Sequence, residues 1–268
     1  FNPSIIDNLK CWYSGDSIQT SANKISLCFD RSGNNNQLIQ SIANNQPSFN
    51  TDLLASPVMQ FNGSSSYLRG NFEEEISTPF TIFMLWNVDQ AKIQYAIDGL
   101  LGDPTSNISL SAPYLRFHAT SYLYYLRPMP FNFIITKVIS NNENSTISEN
   151  GVIQSTSNPG SSYYRGLTMG ASRNTGGFLN GNIGELLIFD TVINDSLSQL
   201  ITQYLHNKYS PPLSLGYDIR IPYSFCDTAI SAYKPWFTSY LWSTGETDSV
   251  IHVNKPGVYS CTVTDIFG

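Results

Sequence analysis

The chain has 268 residues, of which 41% are hydrophobic and only 13% charged, with a formal net charge of −6. That length suits one large β domain with a smaller companion, or two ordinary domains, and the apolar share is enough for a real core. No apolar run reaches the roughly 18 residues a membrane span needs, and no Lys/Arg cluster offers a phosphate-tracking surface, so neither membrane insertion nor nucleic-acid binding is expected.

Tyr (16) and Phe (15) are numerous, as befits pleated, half-buried strands. The start at Phe1 reads as a processed or excised piece, and a missing signal peptide says nothing if one has been removed. Leu9-Lys10-Cys11-Trp12-Tyr13 predicts a first strand, stopped by Ser14-Gly15-Asp16. Residues 24–29 predict a second, with Ile25, Leu27 and Phe29 on one face by the period of two. It breaks at Asp30-Arg31-Ser32-Gly33-Asn34-Asn35-Asn36, a loop of residues that tolerate positive φ. Val58-Met59-Gln60-Phe61 leads into the turn Asn62-Gly63, and Ser66-Tyr67-Leu68 resumes. Glu73-Glu74-Glu75 reads as a solvated loop before Ser77-Thr78-Pro79. Residues 80–86 are almost continuously apolar, which predicts a central strand buried on both faces.

Further strands are predicted at 114–117, 122–126 and 131–139. Asn150-Gly151 marks a hairpin between 145–148 and 152–155, and strands at 166–170 and 184–189 complete the set. Many short strands at fairly even spacing imply an all-β sandwich. The last strand passes into a helix over 194–209, where Leu197, Leu200, Ile201, Tyr204 and Leu205 make one apolar stripe. Asn194 or Ser196 can cap it, and Ser196 with Gln199 fits a capping box. Lys208 complements the dipole in the last turn, and Pro211-Pro212 forbids continuation. The helix is expected to pack across a sheet edge.

From Leu213 the texture changes, which places a boundary between 1–212 and 213–268. Short strands are predicted at 217–221, 229–233, 239–242, 249–253 and 257–264. The four cysteines fall two in each half with no Cys-x-x-Cys spacing, and read as two local disulfides in an oxidising compartment. The alternative is buried free thiols that pack as small hydrophobes. Cys226, Trp242 and Cys261 stand in the order of an immunoglobulin-like sandwich, with Tyr259 at the spacing of a tyrosine corner. A Cys226–Cys261 bridge would close a loop of ~35 residues and stabilise by roughly 3–4 kcal/mol. The chain stops in the turn Ile266-Phe267-Gly268, so this second domain is expected to be truncated and the parent protein to continue.

Several of these stretches carry a resemblance. Leu9-Lys10-Cys11-Trp12-Tyr13, Asp30-Arg31-Ser32-Gly33, Val58-Met59-Gln60-Phe61-Asn62-Gly63, Glu149-Asn150-Gly151-Val152, Leu167-Thr168-Met169-Gly170, the strand 181–190 and Tyr204-Leu205-His206-Asn207-Lys208-Tyr209 keep order and spacing. Together they resemble the laminin-G-like branch of the concanavalin A-like lectin/glucanase superfamily. That resemblance implies an all-β jelly-roll sandwich with one C-terminal helix over residues 1–212. Cys28 departs from it by standing where the family usually has Trp, and with Cys11 on the other early strand this fits a disulfide particular to this protein. Tyr240-Leu241-Trp242-Ser243-Thr244-Gly245 and Pro256-Gly257-Val258-Tyr259-Ser260 resemble the Ig-like or PKD-like repeats of secreted bacterial surface proteins. The pairing of two such domains is frequent in adhesins of gliding bacteria.

Glycosidases on this fold need two carboxylates facing each other across a cleft. Glu73-Glu74-Glu75 is consecutive, so its side chains alternate between faces, and hydrolase activity is not expected. Glu185 is a charge inside an apolar strand, and it reads as a structural residue paired with Arg or backbone amides rather than as a ligand. His118, His206 and His252 lie in different elements with no zinc spacing. No catalytic residue, metal ligand or cofactor is assigned, although Asp98 and Asp103 leave calcium open. Sugar binding wants aromatic faces beside amides and carboxylates, and Tyr122, Tyr124, Tyr125 and Arg127 with Asp98 and Asn87 are the candidates, against the alternative that the tyrosines fill the sandwich. Trp236-Phe237 is either an exposed contact patch or a contact with the first domain. Ser17, Thr191, Ser196, Thr228 and Ser249 lie in Asp-Ser/Thr-aliphatic stretches of an O-glycosylation pattern. Asn62, Asn107, Asn144 and Asn194 head Asn-x-Ser/Thr sequons.

The resemblances imply a non-catalytic extracellular binding module, carbohydrate- or surface-binding, within a large bacterial cell-surface adhesin. Its partners would be glycans or a cell or abiotic surface, together with further domains of the same polypeptide. The alternatives are a spacer or tip domain of a secreted filament, and an accessory domain of a polysaccharide-degrading enzyme.

Overall fold

The computed structural model describes residues 1–101, 109–112, 114–128, 131–220 and 227–268, without the side chains of Tyr124, Leu126, Arg127 and Pro128. The strands of the N-terminal half are β1 (Leu9–Ser14), β2 (Ile18–Ser21), β3 (Lys24–Cys28), β4 (Leu38–Ile39), β5 (Ser48–Asn50), β6 (Val58–Asn62), β7 (Leu68–Ser77) and β8 (Phe80–Val88). Then come β9 (Gln94–Asp98), β10 (Ser109–Ala112), β11 (Tyr114–His118), β12 (Tyr122–Pro128) and β13 (Ile134–Ser140). The hairpin β14 (Thr146–Glu149) and β15 (Val152–Thr156) precedes β16 (Tyr163–Met169), β17 (Asn180–Phe189) and helix α1 (Asp195–Tyr209). The chain ends with β18 (Thr228–Ser231), β19 (Phe237–Trp242), β20 (Val250–Val253) and β21 (Cys261–Asp265).

The antiparallel pairings resolve into two facing sheets. The first is ordered β15-β14-β13-β8-β17-β1. The second runs β2-β3-β4-β7-β16-β9-β10-β11-β12. β5 and β6 bridge them, because β5 pairs with β3 and β6, and β6 with the start of β17. The whole is a jelly-roll sandwich curled into a near-barrel.

The alternation along β8 explains why it is central. Phe80, Ile82, Met84 and Trp86 fill the space between the sheets, while Phe83 and Leu85 face outward. Each such side chain contributes roughly 1.5–3 kcal/mol through its burial. β17 repeats the pattern, with Ile188 inside and Leu187 and Phe189 outside. A sheet that is apolar on both faces needs a cover on its outer side. Helix α1 supplies it by laying Ile201, Leu205 and Tyr209 on Trp12, Phe83, Leu85, Leu187 and Phe189. The helix therefore covers a sheet face and not an edge. Leu200 is left exposed, so the apolar stripe is narrower than the sequence indicates. Asn194 alone makes the N-cap, accepting from Leu197 N at 2.9 Å.

Three other expectations need correction. Glu73-Glu74-Glu75 is solvated but belongs to β7, where Glu74 pairs with Lys10 at 2.8 Å and Glu75 with Arg165 at 3.1 Å. In β3, Thr20 lies opposite Ile25 and Gln19 opposite Leu27, so Ser26 is an inserted residue. This bulge breaks the period of two, burying Cys28 with Ile25 and leaving Phe29 exposed. Cys11 and Cys28 are buried free thiols, so the alternative reading holds for that pair, while Cys261 is free but only half-buried. Cys226 lies outside the described residues, as do Asn107 and part of the strand expected at 217–221, whose residues 217–220 form no strand.

Beyond the helix, β18 pairs with β20 and β19 with β21, enclosing Ala232, Trp242, Ile251 and Val253. Trp236, Ile266 and Phe267 reach back onto the apolar cluster beneath α1. Asp265 accepts from Ser210 Oγ at 2.9 Å and pairs with His206 at 2.9 Å. The pair Trp236-Phe237 is thus a packing element, its indole donating to Pro211 O at 3.3 Å.

Candidate functional site

Two groups of polar residues sit on opposite outer faces of the sandwich. On the helix-covered face, Glu185 is fully buried at the bulge of β17. Its Oε1 accepts from Trp12 Nε1 at 2.6 Å and Tyr204 OH at 2.8 Å. Its Oε2 accepts from Lys208 Nζ at 2.7 Å, Tyr209 OH at 3.0 Å and Ser14 Oγ at 3.3 Å. Lys208 also reaches Asp16 at 3.1 Å, and Asp16 pairs with Arg31 at 3.1 Å. Burial opposes ionisation of Asp16, but bonding from Ser14 and the charges of Lys208 and Arg31 hold it below the usual carboxylate range. Burial, then the Glu185 charge, pushes the Tyr204 and Tyr209 phenols upward. With both oxygens saturated and no solvent contact, Glu185 has no position for a substrate. It fastens helix to sheet through Lys208 and side-chain hydroxyls, not through Arg or backbone amides.

The other outer face belongs to the second sheet. Ile97, Leu110, Phe117, Leu123 and Leu167 point into the core, so the alternate residues Thr168, Asp98, Ser109, His118 and Tyr122 lie outside. Strand register sets Thr168 opposite Asp98, Ser109 opposite His118, and His118 opposite Tyr122. The rings of His118 and Tyr122 are 4.4 Å apart and tilted, and Tyr122 is 51% exposed. Asp98 is buried and accepts from the amides of Gly99 at 2.7 Å and Arg173 at 2.9 Å. Burial raises its pKa, while these amides pull the other way. Arg69 ties the same loop down, donating to Thr168 Oγ1 at 2.9 Å and Arg173 O at 2.7 Å.

Of the sequence-derived candidates, Asp98 and Tyr122 share this face. Tyr124 and Arg127 lie on the same strand, β12, with side chains outside the described residues, and Tyr125 packs partly buried against the core. Asn87 is elsewhere: it lies on β8 of the first sheet, where it donates to Asp89 and Phe131 O and receives Asn182 N and Nδ2, both at 2.9 Å. His118 and Arg69 escaped sequence reasoning because only strand register brings them onto the face of Asp98, and Arg173 because its loop folds back to donate an amide there. Asp103 lies outside the described residues, among which no group of three or more metal-ligating side chains occurs. None of the described residues forms a helix long and apolar enough to cross a membrane. Ser196 is exposed, while Ser17, Thr191, Thr228 and Ser249 are half-buried. Among the sequons, the side chains of Asn62 and Asn194 are engaged as turn and cap acceptors.

No protein-family model matches the chain, and no curated protein is similar to it in sequence. Solved structures do match. Domain 4 of AbnA, an extracellular GH43 arabinanase from Geobacillus stearothermophilus in complex with arabinotriose, is 17% identical over 73% of this chain and 98% of that domain, with a TM-score of 0.55. The binding domain of botulinum neurotoxin DC in complex with SialylT is 14% identical, with a TM-score of 0.54 over 74% of this chain. This chain spans about half of that domain, 52% of its length. The binding domain of Paraclostridial Mosquitocidal Protein 1 is 15% identical over 90% of this chain and 63% of that one, with a TM-score of 0.53. At such identities the likeness concerns the fold alone: the chain shares its β-sandwich architecture with these domains.

Proposed function

We propose that the chain is a non-catalytic carbohydrate-binding module of an extracellular protein, with its sugar site on the outer face of the second sheet. The observation that carries this reading is the half-exposed Tyr122 ring set against His118, on the same outer face as a loop that Asp98 and Arg69 hold in place. Sugar rings stack on such aromatic faces, and fixed polar groups orient their hydroxyls. The fold is also that of a domain seen in complex with arabinotriose, nearly all of whose length this chain matches. The same reading divides the chain at residue 212 and treats 213–268 as an Ig-like companion. Pairing β18 with β20 and β19 with β21 corresponds to the B–E and C–F pairs of that fold. Trp242 lies opposite Cys261, and Tyr259 OH donates to Lys255 O at 2.8 Å, as a tyrosine corner would.

The test is a glycan array probed with folded protein and with Tyr122→Ala. Binding that falls at least roughly tenfold in a variant of unchanged melting temperature supports the site. A blank array, or equal binding by both proteins, contradicts it.

A further inference from the structure

Strand β11 alternates between the core and the outer face of the second sheet. Leu115 and Phe117 are buried in the core, so Tyr114, Arg116 and His118 project outward. Arg116 stands opposite Ser111 on β10 and Tyr124 on β12. Tyr122 stands opposite His118, which makes it the diagonal neighbour of Arg116, about 7–8 Å away across the strand pair. Along its own strand Arg116 is flanked by Tyr114, whose ring is also half-exposed.

Arg31, Arg69 and Arg165 each hold a carboxylate or a backbone oxygen. Arg116 has no hydrogen bond, ion pair or ring contact among the described residues. Its Nε is buried all the same, so water does not serve that donor, and a guanidinium cannot shed its charge to escape the cost. The two Nη groups have no partner either, and they are not buried. The carboxylate of this face closest in strand order among the described residues is Asp98, two strands away on β9. Its oxygens are taken by the amides of Gly99 and Arg173, and it forms no ion pair with Arg116. An uncompensated guanidinium thus lies between two half-exposed phenol rings. Its paired Nη donors match the two oxygens of a carboxylate, and the rings match the apolar faces of sugars.

We propose that the sugar site of the second sheet is selective for oligosaccharides that carry a carboxylate, with Arg116 receiving the carboxylate while sugar rings stack on Tyr122 and Tyr114. The assignment rests on the carbohydrate-binding reading for the place of the site and adds the charge of its ligand. Folded protein is titrated with oligosaccharides containing galacturonate, glucuronate or N-acetylneuraminate, each beside its own methyl ester, which removes the charge and keeps the ring. At least one acid should bind roughly tenfold more tightly than its ester, and the difference should shrink as salt is raised. Arg116→Met should bind that acid and its ester alike at an unchanged melting temperature. Arg116→Lys, which keeps the charge without the planar fork, should retain part of the preference. Acids bound no better than their esters, or a preference that survives in Arg116→Met, would overturn the proposal. Should Arg116→Met fail to fold, the comparison of acid with ester on the wild type still decides. Equal binding of acid and ester that falls in Tyr122→Ala would remove the role of Arg116 and leave the sugar site standing. Absence of binding by every glycan would contradict the sugar site itself, and this selectivity with it.

Discussion

Among the described residues, each outer face of the sandwich carries one deeply buried carboxylate, and the two are held in different ways. Glu185, on the helix-covered face, is gripped by side chains from β1 and α1. Asp98, on the outer face of the second sheet, is gripped by the amides of its own turn and of a neighbouring loop. The first arrangement locks two secondary elements together and leaves no free oxygen. The second fixes loop backbone on the face that carries the exposed Tyr122 ring. A buried charge in a strand therefore indicates organisation, and only its partners tell whether it braces the scaffold or a surface.

The sharpest way to break this contrast is to remove Glu185. Glu185→Ala leaves Lys208 with Asp16 as its one carboxylate and removes the acceptor of the Trp12 indole and the Tyr204 phenol, and is expected to destabilise by about 3–5 kcal/mol in urea unfolding. Adding Lys208→Met to that variant should recover part of the loss, since both ends of the pair are then gone. A full double loss would show the two residues to be independent.

Asp98 should respond to pH instead. Its folded-state pKa is raised, chiefly by burial, so the native state binds more protons than the unfolded one. The associated stability is present below the unfolded carboxylate value of about 3.9 and is lost as pH rises through the folded value. The advantage of wild type over Asp98→Asn should thus shrink between acid and neutral pH in thermal melts. An advantage that grows with pH would reverse the assignment.

The thiols give a smaller but cleaner comparison. Cys11 and Cys28 are buried and free, and burial pushes the Cys28 thiol up to about 12 and raises Cys11 further. Thiolate reagents at mildly alkaline pH should spare both in native protein and label both in denaturant. Mapping of a Cys11–Cys28 disulfide peptide would contradict the structure. The smallest effect is expected at the hairpin, where Asn150 and Gly151 both have positive φ. Gly151→Val should cost roughly 1–2 kcal/mol from the backbone alone.

How much of this was legible beforehand depended on how local the signal is. The double-sided burial of β8, the Asn150-Gly151 hairpin and the span of α1 follow from periodicity and turn chemistry, and all three appear where expected. Helix α1 covers a sheet face where the sequence points to an edge, because an apolar stripe says that a helix packs, not on what. Phe29 lies outside the core, against the period of two, because one inserted residue, Ser26, shifts the later side chains to the other face. β7 was hidden behind three consecutive glutamates, whose charge outweighed the spacing of Leu68, Phe72 and Ile76. The site was half visible. Asp98 and Tyr122 could be chosen by residue type, but Asn87 could not be assigned to the opposite sheet, nor His118 to the row beside Tyr122, until strand order was known.

Calorimetric titration of the folded protein with glycans selected on the array tests the second-sheet site most directly. Wild type should bind at least one of them, and Tyr122→Ala should bind it roughly tenfold more weakly at an unchanged melting temperature. Undiminished binding by Tyr122→Ala would contradict a sugar site on the second sheet, and no binding by wild type would contradict the carbohydrate-binding module itself.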